Sequence, residues 1–305
     1  MPSSGDLLPD TAPAFRAPVP DLGWPAFTAD GPAVAPGEAL GRTGSLEVRL
    51  ARGWQEVHRA QQLRYDVFFG ERGALAGPRP RRTGRDADDY DAVCDHLLVL
   101  DHACPANPFR AAEPKVVGTY RLLRREVAEA HRGFYSESEF QVLPLLSARP
   151  EARIAELGRA CVRQPYRSRR TVELLWQGIW AYVKEHRIDA LIGCASLDGT
   201  DPRALAPQLS YLHHFAPSPA EWRVGAQPGR RVAFDVLPRE MLDQRAAFRS
   251  LPPLVKGYLR VGATVGDGAV VDPAFGTTDV FVVLDVRTVQ SRYLDRFGSP
   301  TRLAA

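Results

Sequence analysis

The run Ile154-Ala-Glu-Leu-Gly-Arg-Ala-Cys-Val-Arg163 continues through Gln164-Pro-Tyr-Arg-Ser-Arg-Arg170 into a periodic stretch from Thr171 to His186. It reads as a buried strand carrying an acid and a base, then a cationic loop, then the start of a helix. A strand-to-helix turn presents free backbone N–H groups and the positive end of the helix dipole, so it is a natural anion site. Arg167, Arg169 and Arg170 add positive charge there, and Pro165 stops the strand. Thr171 is the expected N-cap, and Glu173 suits the first turn. The chemistry implied is a phosphate cradle; a solvated basic loop is the plainer alternative. Glu156 shares a strand face with Gly158 and Ala160. If that face lines a cleft, loss of solvent raises the carboxylate's pKa towards the range of a base working near neutral pH. The competing reading is an ion pair from Glu156 to Arg159 or Arg163 with no catalytic duty.

These residues need a scaffold, and the hydrophobic pattern supplies one. Trp54, Val57, Leu63, Val67 and Phe68 fit one buried face of a helix from Trp54 to Phe69, with Arg64 one turn before Phe68. Residues 70–90 lose periodicity and collect Gly, Pro and Arg, the pattern of a mobile loop that could close over a ligand. Residues 96–101 and 115–123 are apolar runs around a Pro-rich turn at Pro105 to Pro114, and read as neighbouring antiparallel strands. The Glu156 strand, a helix carrying Leu174, Leu175, Ile179 and Val183, and a strand from Ala190 to Ala195 form a parallel crossover unit. Further on, a strand at Arg231 to Val236, a helix at Pro252 to Arg260 and a strand at Asp279 to Val286 are expected. The Gly-rich link Gly262 to Gly276, with Asp267 and Asp272, reads as a turn series or a binding loop. The class is mixed α/β.

The chain has 305 residues, a formal net charge of +3 and four cysteines. That length buries a core readily. No aromatic-interleaved basic stripe marks a nucleic-acid binder. Cys94, Cys104, Cys161 and Cys194 lack metal-ligand spacing, so no metal site is expected, and they read as incidental thiols in a reducing cytoplasm. No stretch is apolar and long enough to span a bilayer, and no secretory signal is seen, so a cytoplasmic location is expected. Residues 1–44 are rich in proline and read as a disordered extension, with Trp24 and Phe27 able to pack on the body or touch a membrane. The folded body is expected over 45–298, with an elaboration from about 250 and a flexible tail at 299–305.

Several motifs in this order resemble the GNAT acyltransferases, and among them the ornithine lipid-forming N-acyltransferases, which are related to acyl-homoserine lactone synthases. They are Leu63-Arg-Tyr-Asp-Val-Phe68, Asp86-Ala-Asp-Asp-Tyr-Asp91 before Cys94-Asp-His96, Val117-Gly-Thr-Tyr-Arg-Leu-Leu123, Glu156-Leu-Gly-Arg159, Leu174-Leu-Trp176 with Gly178, Gly193-Cys-Ala-Ser196, and Leu251-Pro-Pro-Leu-Val-Lys-Gly-Tyr-Leu-Arg260 leading to Val271-Asp-Pro273. The likeness covers about residues 45–290.

The resemblance implies a mixed sheet splayed into a V between the Glu156 and Ala190 strands and flanked by helices. An acyl-phosphopantetheine thioester would lie in the V, with Val162, Arg163, Arg167, Ser168, Arg169, Arg170 and Thr171 as donor-binding residues and no tightly bound cofactor. The usual GNAT loop is Gly-rich; the arginines here suit an acidic acyl carrier protein better than coenzyme A. An amine would attack the thioester, with Glu156 as base and backbone N–H groups near Cys161 to Arg163 holding the oxyanion. Arg64, Arg121 and Arg159, with Phe68, would organise the pocket and hold a substrate carboxylate. Asp88 and Asp91 would take a substrate ammonium, unless they are only a solvated acidic loop. Tyr211 is a weak candidate for proton donor; His213-His214 and the pair Trp176 and Trp180 read as structural. The expected reaction is transfer of a (3-hydroxy)acyl group to the α-amino group of L-ornithine. Alternatives are acylation of another amine, as in signal synthesis or coenzyme A-dependent acetylation, and a non-catalytic carrier-binding module. Transient contact with the inner membrane surface is compatible with an acyl product.

Overall fold

The computed structural model describes residues 37–103 and 113–289. The expectations for residues 1–36, including Trp24 and Phe27, for most of the Pro105 to Pro114 turn with Cys104, and for the tail lie outside the described residues.

The chain opens with β1 (Gly41–Thr43) and β2 (Leu46–Leu50), α1 (Trp54–Tyr65), α2 (Pro78–Thr83), β3 (Asp95–Asp101) and β4 (Lys115–Arg124). Two short helices follow, α3 (Arg125–His131) and α4 (Val142–Ala148), then β5 (Ile154–Val162), α5 (Arg169–Glu185) and β6 (Ala190–Asp198). The remainder is α6 (Ala206–Phe215), β7 (Arg231–Val232), α7 (Gln244–Ser250), α8 (Pro253–Val261), β8 (Thr264–Asp272) and β9 (Thr277–Asp285). The strands form one sheet in the order β1-β2-β3-β4-β5-β6-β9-β8-β7. Every pairing is antiparallel except β5 with β6, which the α5 crossover joins in parallel.

The β5–β6 pairing covers only Ile154↔Ala190, Ala155↔Leu191 and Glu156↔Ile192, although each strand continues for six more residues, to Val162 and to Asp198. The sheet therefore splays into the expected V, with Glu156 at its apex. Gly193 lies just past the last pair, and a Cβ there would stand 2.4 Å from the Leu157 carbonyl oxygen, so the close strand approach at the apex needs glycine.

One face of the sheet is covered by α5 and α8. Leu174, Leu175, Trp176, Ile179, Trp180 and Val183 of α5 pack with Val48, Leu97, Val99 and Leu122, and Val255 and Tyr258 of α8 join the same core. On the other face α1 sets Val57, Ala60 and Leu63 against Leu98, Leu100 and Val116. The turn and helix after α3 set Phe134, Phe140 and Val142 against Ile154, Ile192 and Phe281. The V opens between these two clusters.

Some expectations need correcting. The ordered body begins before Ser45, because Leu40 is buried, its N–H donates to the Val48 carbonyl at 2.8 Å, and β1 pairs with β2. The helix at Trp54 stays α-helical only to Tyr65 and widens into a π-helical turn at Asp66–Glu71. Residues 70–90 are not one loose loop: they hold α2, and Asp86 and Asp91 are buried anchors. The strand expected to reach Val236 ends at Val232. The Gly-rich link is largely a strand, β8, whose register with β9 shifts between Val265 and Ala269 where Gly266, Asp267 and Gly268 intervene. The N-cap of α5 is Ser168, which accepts from the Thr171 N–H at 3.3 Å; Thr171 itself is buried.

Candidate active site

Past the apex, the V encloses a cavity of about 450 Å³ reached by Glu156, Arg121, Arg159, Tyr135, Phe68 and Leu254 among others. Glu156 lies at the apex because it is the last β5 residue paired to β6. It is 5% exposed, and its two oxygens accept the backbone N–H groups of Tyr135 and Ser136 at 2.8 Å each. Burial pushes its carboxyl pKa above the ordinary value, against the pull of those N–H donors and of Arg121. The ion-pair alternative is excluded in this form: Glu156 grips a turn of backbone, not Arg159 or Arg163.

Arg159 occupies a β-bulge. The register Thr119↔Cys161 becomes Arg121↔Gly158, and Arg159 takes φ +50° in the left-handed region, which costs a non-glycine residue on the order of 1 kcal/mol. The bulge re-aims its guanidinium into the V. There it lies 4.6 Å from the Tyr135 ring centroid and 5.3 Å from that of Phe275, and it bonds Asp86, Asp88 and the Tyr135 hydroxyl at 3.1–3.2 Å. Phe68 belongs to the same wall, edge-on to Phe275.

Arg64 and Asp91 lie behind this wall, outside the cavity lining. Arg64 is fully buried and forms a two-pronged pair with Asp91 at 2.8 and 2.7 Å, with Asp86 at 3.0 Å. Despite burial, Arg64 holds the Asp91 carboxyl far below the usual carboxylate range. Asp91 also accepts from Gln61 at 3.0 Å, and its carbonyl meets His96 Nε2 at 3.0 Å. Burial pushes His96 down to about 4, so it is neutral. Arg121 bonds Asp88 at 2.5 Å and Asp91 at 3.3 Å. The acidic segment is thus no solvated loop; Asp86, Asp88 and Asp91 neutralise Arg64, Arg121 and Arg159. The recorded bonds leave Arg121 Nη2 and Arg159 Nη1 without a protein partner among the described residues.

The segment from Val162 to Thr171 lies beside the cavity, not in its lining. Arg163 pairs with Asp66 at 2.8 Å, Arg169 with Glu173 at 2.8 Å, and Arg167 with Glu71, which does line the cavity. Arg170 is exposed and no acid pairs with it among the described residues. Val162 is half-buried, and the exposed Ser168 is committed to the helix cap.

Tyr211 packs with Phe215 and Phe248 on α6 and α7, and does not line the cavity. His214 Nε2 meets the Leu237 carbonyl at 2.9 Å and His213 lies edge-on to Phe234, away from the site. Trp176 and Trp180 stack in the core.

Of the acids on the opposite wall only Asp272 is singled out in the sequence, within a link that reads as a turn series or a binding loop. Glu139, Asp272 and Asp279 each bring a carboxylate to this wall, and their oxygens lie within 4.8 Å of one another. Glu139 is pushed up to about 7, by burial first and then by the negative charge of Asp279. Burial also raises Asp279. Cys194 Sγ donates to Glu139 at 3.7 Å, and burial holds that thiol well above its ordinary value, so it is not a thiolate nucleophile. One signal in the sequence could have found Asp279: it is a charged residue leading an otherwise apolar strand, Val280–Leu284. Glu139 and Tyr135 come from a short turn whose sequence carries no period.

The chain is similar in sequence to known proteins. Residues 63–177 match the model of the acetyltransferase (GNAT) domain family. A curated L-ornithine N(alpha)-acyltransferase of Brucella abortus is 50% identical over 273 residues, covering 90% of this chain and 94% of the relative. The protein of that name from Rhizobium meliloti is 50% identical over 262 residues, covering 86% of this chain and 87% of the relative. Among solved structures, an N-acyl amino acid synthase from uncultured soil microbes superposes with a TM-score of 0.47 at 11% identity, covering 84% of this chain and 99% of that one.

Proposed function

The chain belongs to the GNAT-type L-ornithine N-acyltransferases, and from that premise we propose that it moves a (3-hydroxy)acyl group from an acyl carrier protein to the α-amino group of L-ornithine, giving lyso-ornithine lipid. N-acylation of ornithine rests on one observation, 50% identity across 90% of the chain to an ornithine acyltransferase. The splayed cleft supports the same chemistry, since it offers a buried base beside open backbone N–H groups.

In this reading the ornithine α-ammonium gives a proton to Glu156, and the freed amine attacks the thioester carbonyl. A C–N bond forms, the C–S bond breaks as the tetrahedral intermediate collapses, and the second amine proton passes to the departing thiolate, which leaves as the thiol. Glu156 is suited to the task because burial raises its proton affinity while two N–H bonds fix its position. The oxyanion would be held by a backbone N–H on the open edge of β5 within the cavity, at Gly158 to Ala160, since Val162 lies outside the lining and roughly 20 Å of extended strand from Glu156. Arg121 Nη2 and Arg159 Nη1 are donors for the α-carboxylate.

The carrier-protein donor is supported by Arg167, Arg169 and Arg170 beside the cavity, with Arg167 joined to its wall through Glu71. Replacing Arg167 and Arg170 by alanine is expected to weaken carrier-protein binding about tenfold and flatten its salt dependence, as loss of rim charges does. Titration of labelled carrier protein at several salt concentrations checks this; a loss of turnover with unchanged binding would count against it. No helix among the described residues is long and apolar enough to cross a membrane, and contact of the product-laden enzyme with the inner membrane surface is part of the proposal.

The deciding experiment offers the purified protein 3-hydroxyacyl carrier protein or the matching coenzyme A thioester with a panel of amino acids, and reads products by mass spectrometry. Acylated ornithine from the carrier-bound donor is expected. Acylation of another amine with ornithine untouched would overturn the reading.

A further inference from the structure

Resting on the reading of ornithine as acceptor, we propose that Glu139, Asp272 and Asp279 form the subsite that takes the acceptor's side-chain ammonium, and so make the enzyme specific for amino acids with a cationic side chain. The two arms of the V differ in what they present. The β4–β5 arm brings Arg121 and Arg159, while the arm built on β6, β9 and β8 brings Asp279, Asp272 and the adjoining Glu139. Glu156 stands between them at the apex. An α-amino acid whose carboxylate meets the arginines and whose amine meets Glu156 extends its side chain towards the acidic arm.

The trio is built for a cation that the protein does not itself supply. Asp279 is 7% exposed and its Oδ1 has no well-formed hydrogen bond among the described residues, the Ser196 and Thr277 hydroxyls beside the carboxylate offsetting only part of the burial that raises it; Thr277 Oγ1, 6% exposed and two residues away on the same strand face, likewise has no well-formed bond. Both residues line the cavity. Buried polar atoms left unpartnered are costly, and an ammonium with three N–H donors satisfies several of them at once. Arg230 is the one cation paired to the trio among the described residues. It reaches Glu139 alone, at 3.3 Å, from a position 39% exposed. Even with Glu139 about half protonated near neutral pH, the trio and its one peripheral arginine leave net negative charge facing the cavity. Asp88 and Asp91, expected to hold the ammonium, are occupied by arginines.

The test compares ornithine with norvaline, which has the same carbon chain without the terminal amine. The protein is expected to prefer ornithine in kcat/KM by at least about 100-fold, as a site with buried polar groups rejects an analogue that leaves them unpaired. Asp279→Asn and Glu139→Gln should each collapse that preference to within about tenfold, by raising the KM for ornithine and sparing norvaline. Both substitutions keep size and shape. Ligand-induced thermal shift gives a second readout: ornithine should raise the melting temperature of the unsubstituted protein and not of the variants. Retained preference and retained shift in both variants would overturn the subsite. So would loss of preference on chelation, restored by magnesium or calcium alone, since the trio would then be a divalent-cation site. Failure of the unsubstituted protein to acylate ornithine at all would instead overturn the acceptor assignment on which the subsite rests.

Discussion

Replacing Asp91 by alanine is expected to lower the stability of the fold by about 3–5 kcal/mol, the usual cost of removing one partner from a buried ion pair. The size follows from what the substitution abandons. Arg64 is fully buried and loses its two-pronged partner, Arg121 loses a second acceptor, and Gln61 is left without its bond. A domain of this kind has only about 5–15 kcal/mol in total, so the variant should be marginal at room temperature. Urea unfolding checks it through the midpoint. The pH dependence gives an independent sign. Asp91 has a folded-state pKa depressed below its unfolded value, so its contribution is present above the ordinary carboxylate range and is lost as pH falls through the depressed value. The parent protein should therefore be more acid-sensitive than the variant in relative terms, the gap between them closing as pH falls. An equal gap at neutral and at strongly acid pH would remove Asp91 from this role.

That result would also mark the division between what was legible in the sequence and what was not. The Ile154 to Glu185 stretch could be read because its signals are local: an apolar strand, a proline stop and a periodic helix that must cross over to a parallel partner. The V followed from the resemblance and needed only a short β5–β6 register to hold. The acidic segment reads in the sequence as a site for a substrate ammonium, or else a solvated loop, because its composition shows no partner, whereas Asp86 and Asp91 are buried by arginines that arrive from α1, β4 and β5. Charge pairing between elements distant in sequence leaves no periodic trace. β8 was missed for a related reason: its glycines look like turns, yet Gly266 is there because a Cβ would stand 2.3 Å from the Val224 carbonyl oxygen. Glu139 joins Asp279 across 140 residues, a meeting that only the folded sheet arranges.

The second large effect is on turnover. Glu156→Gln is expected to reduce kcat by roughly 10²–10⁴-fold, the range a positioned general base contributes. Rate loss alone does not separate proton transfer from scaffolding, because Glu156 also holds the backbone N–H groups of Tyr135 and Ser136, and Tyr135 stacks on Arg159. Glutamine keeps one oxygen for one of those donors, so the turn loosens without losing both ties. The pH profile separates the two roles. A base must be unprotonated to act, so the parent's activity should fall as pH drops through the Glu156 pKa, and burial sets that midpoint above the ordinary carboxylate value. The variant should have no such limb, while the limb from the acceptor's own ammonium, at higher pH, persists in both. Glu139, pushed up to about 7, is the other carboxylate that could produce an acid limb in this cavity. Glu139→Gln distinguishes them: if it abolishes the acid limb and Glu156→Gln leaves it, the base is Glu139 and Glu156 is a positioning residue. The expected outcome is the reverse, with Glu139→Gln acting on the KM for ornithine, because Glu156 alone stands at the apex where an amine can reach both a carboxylate and the open edge of β5.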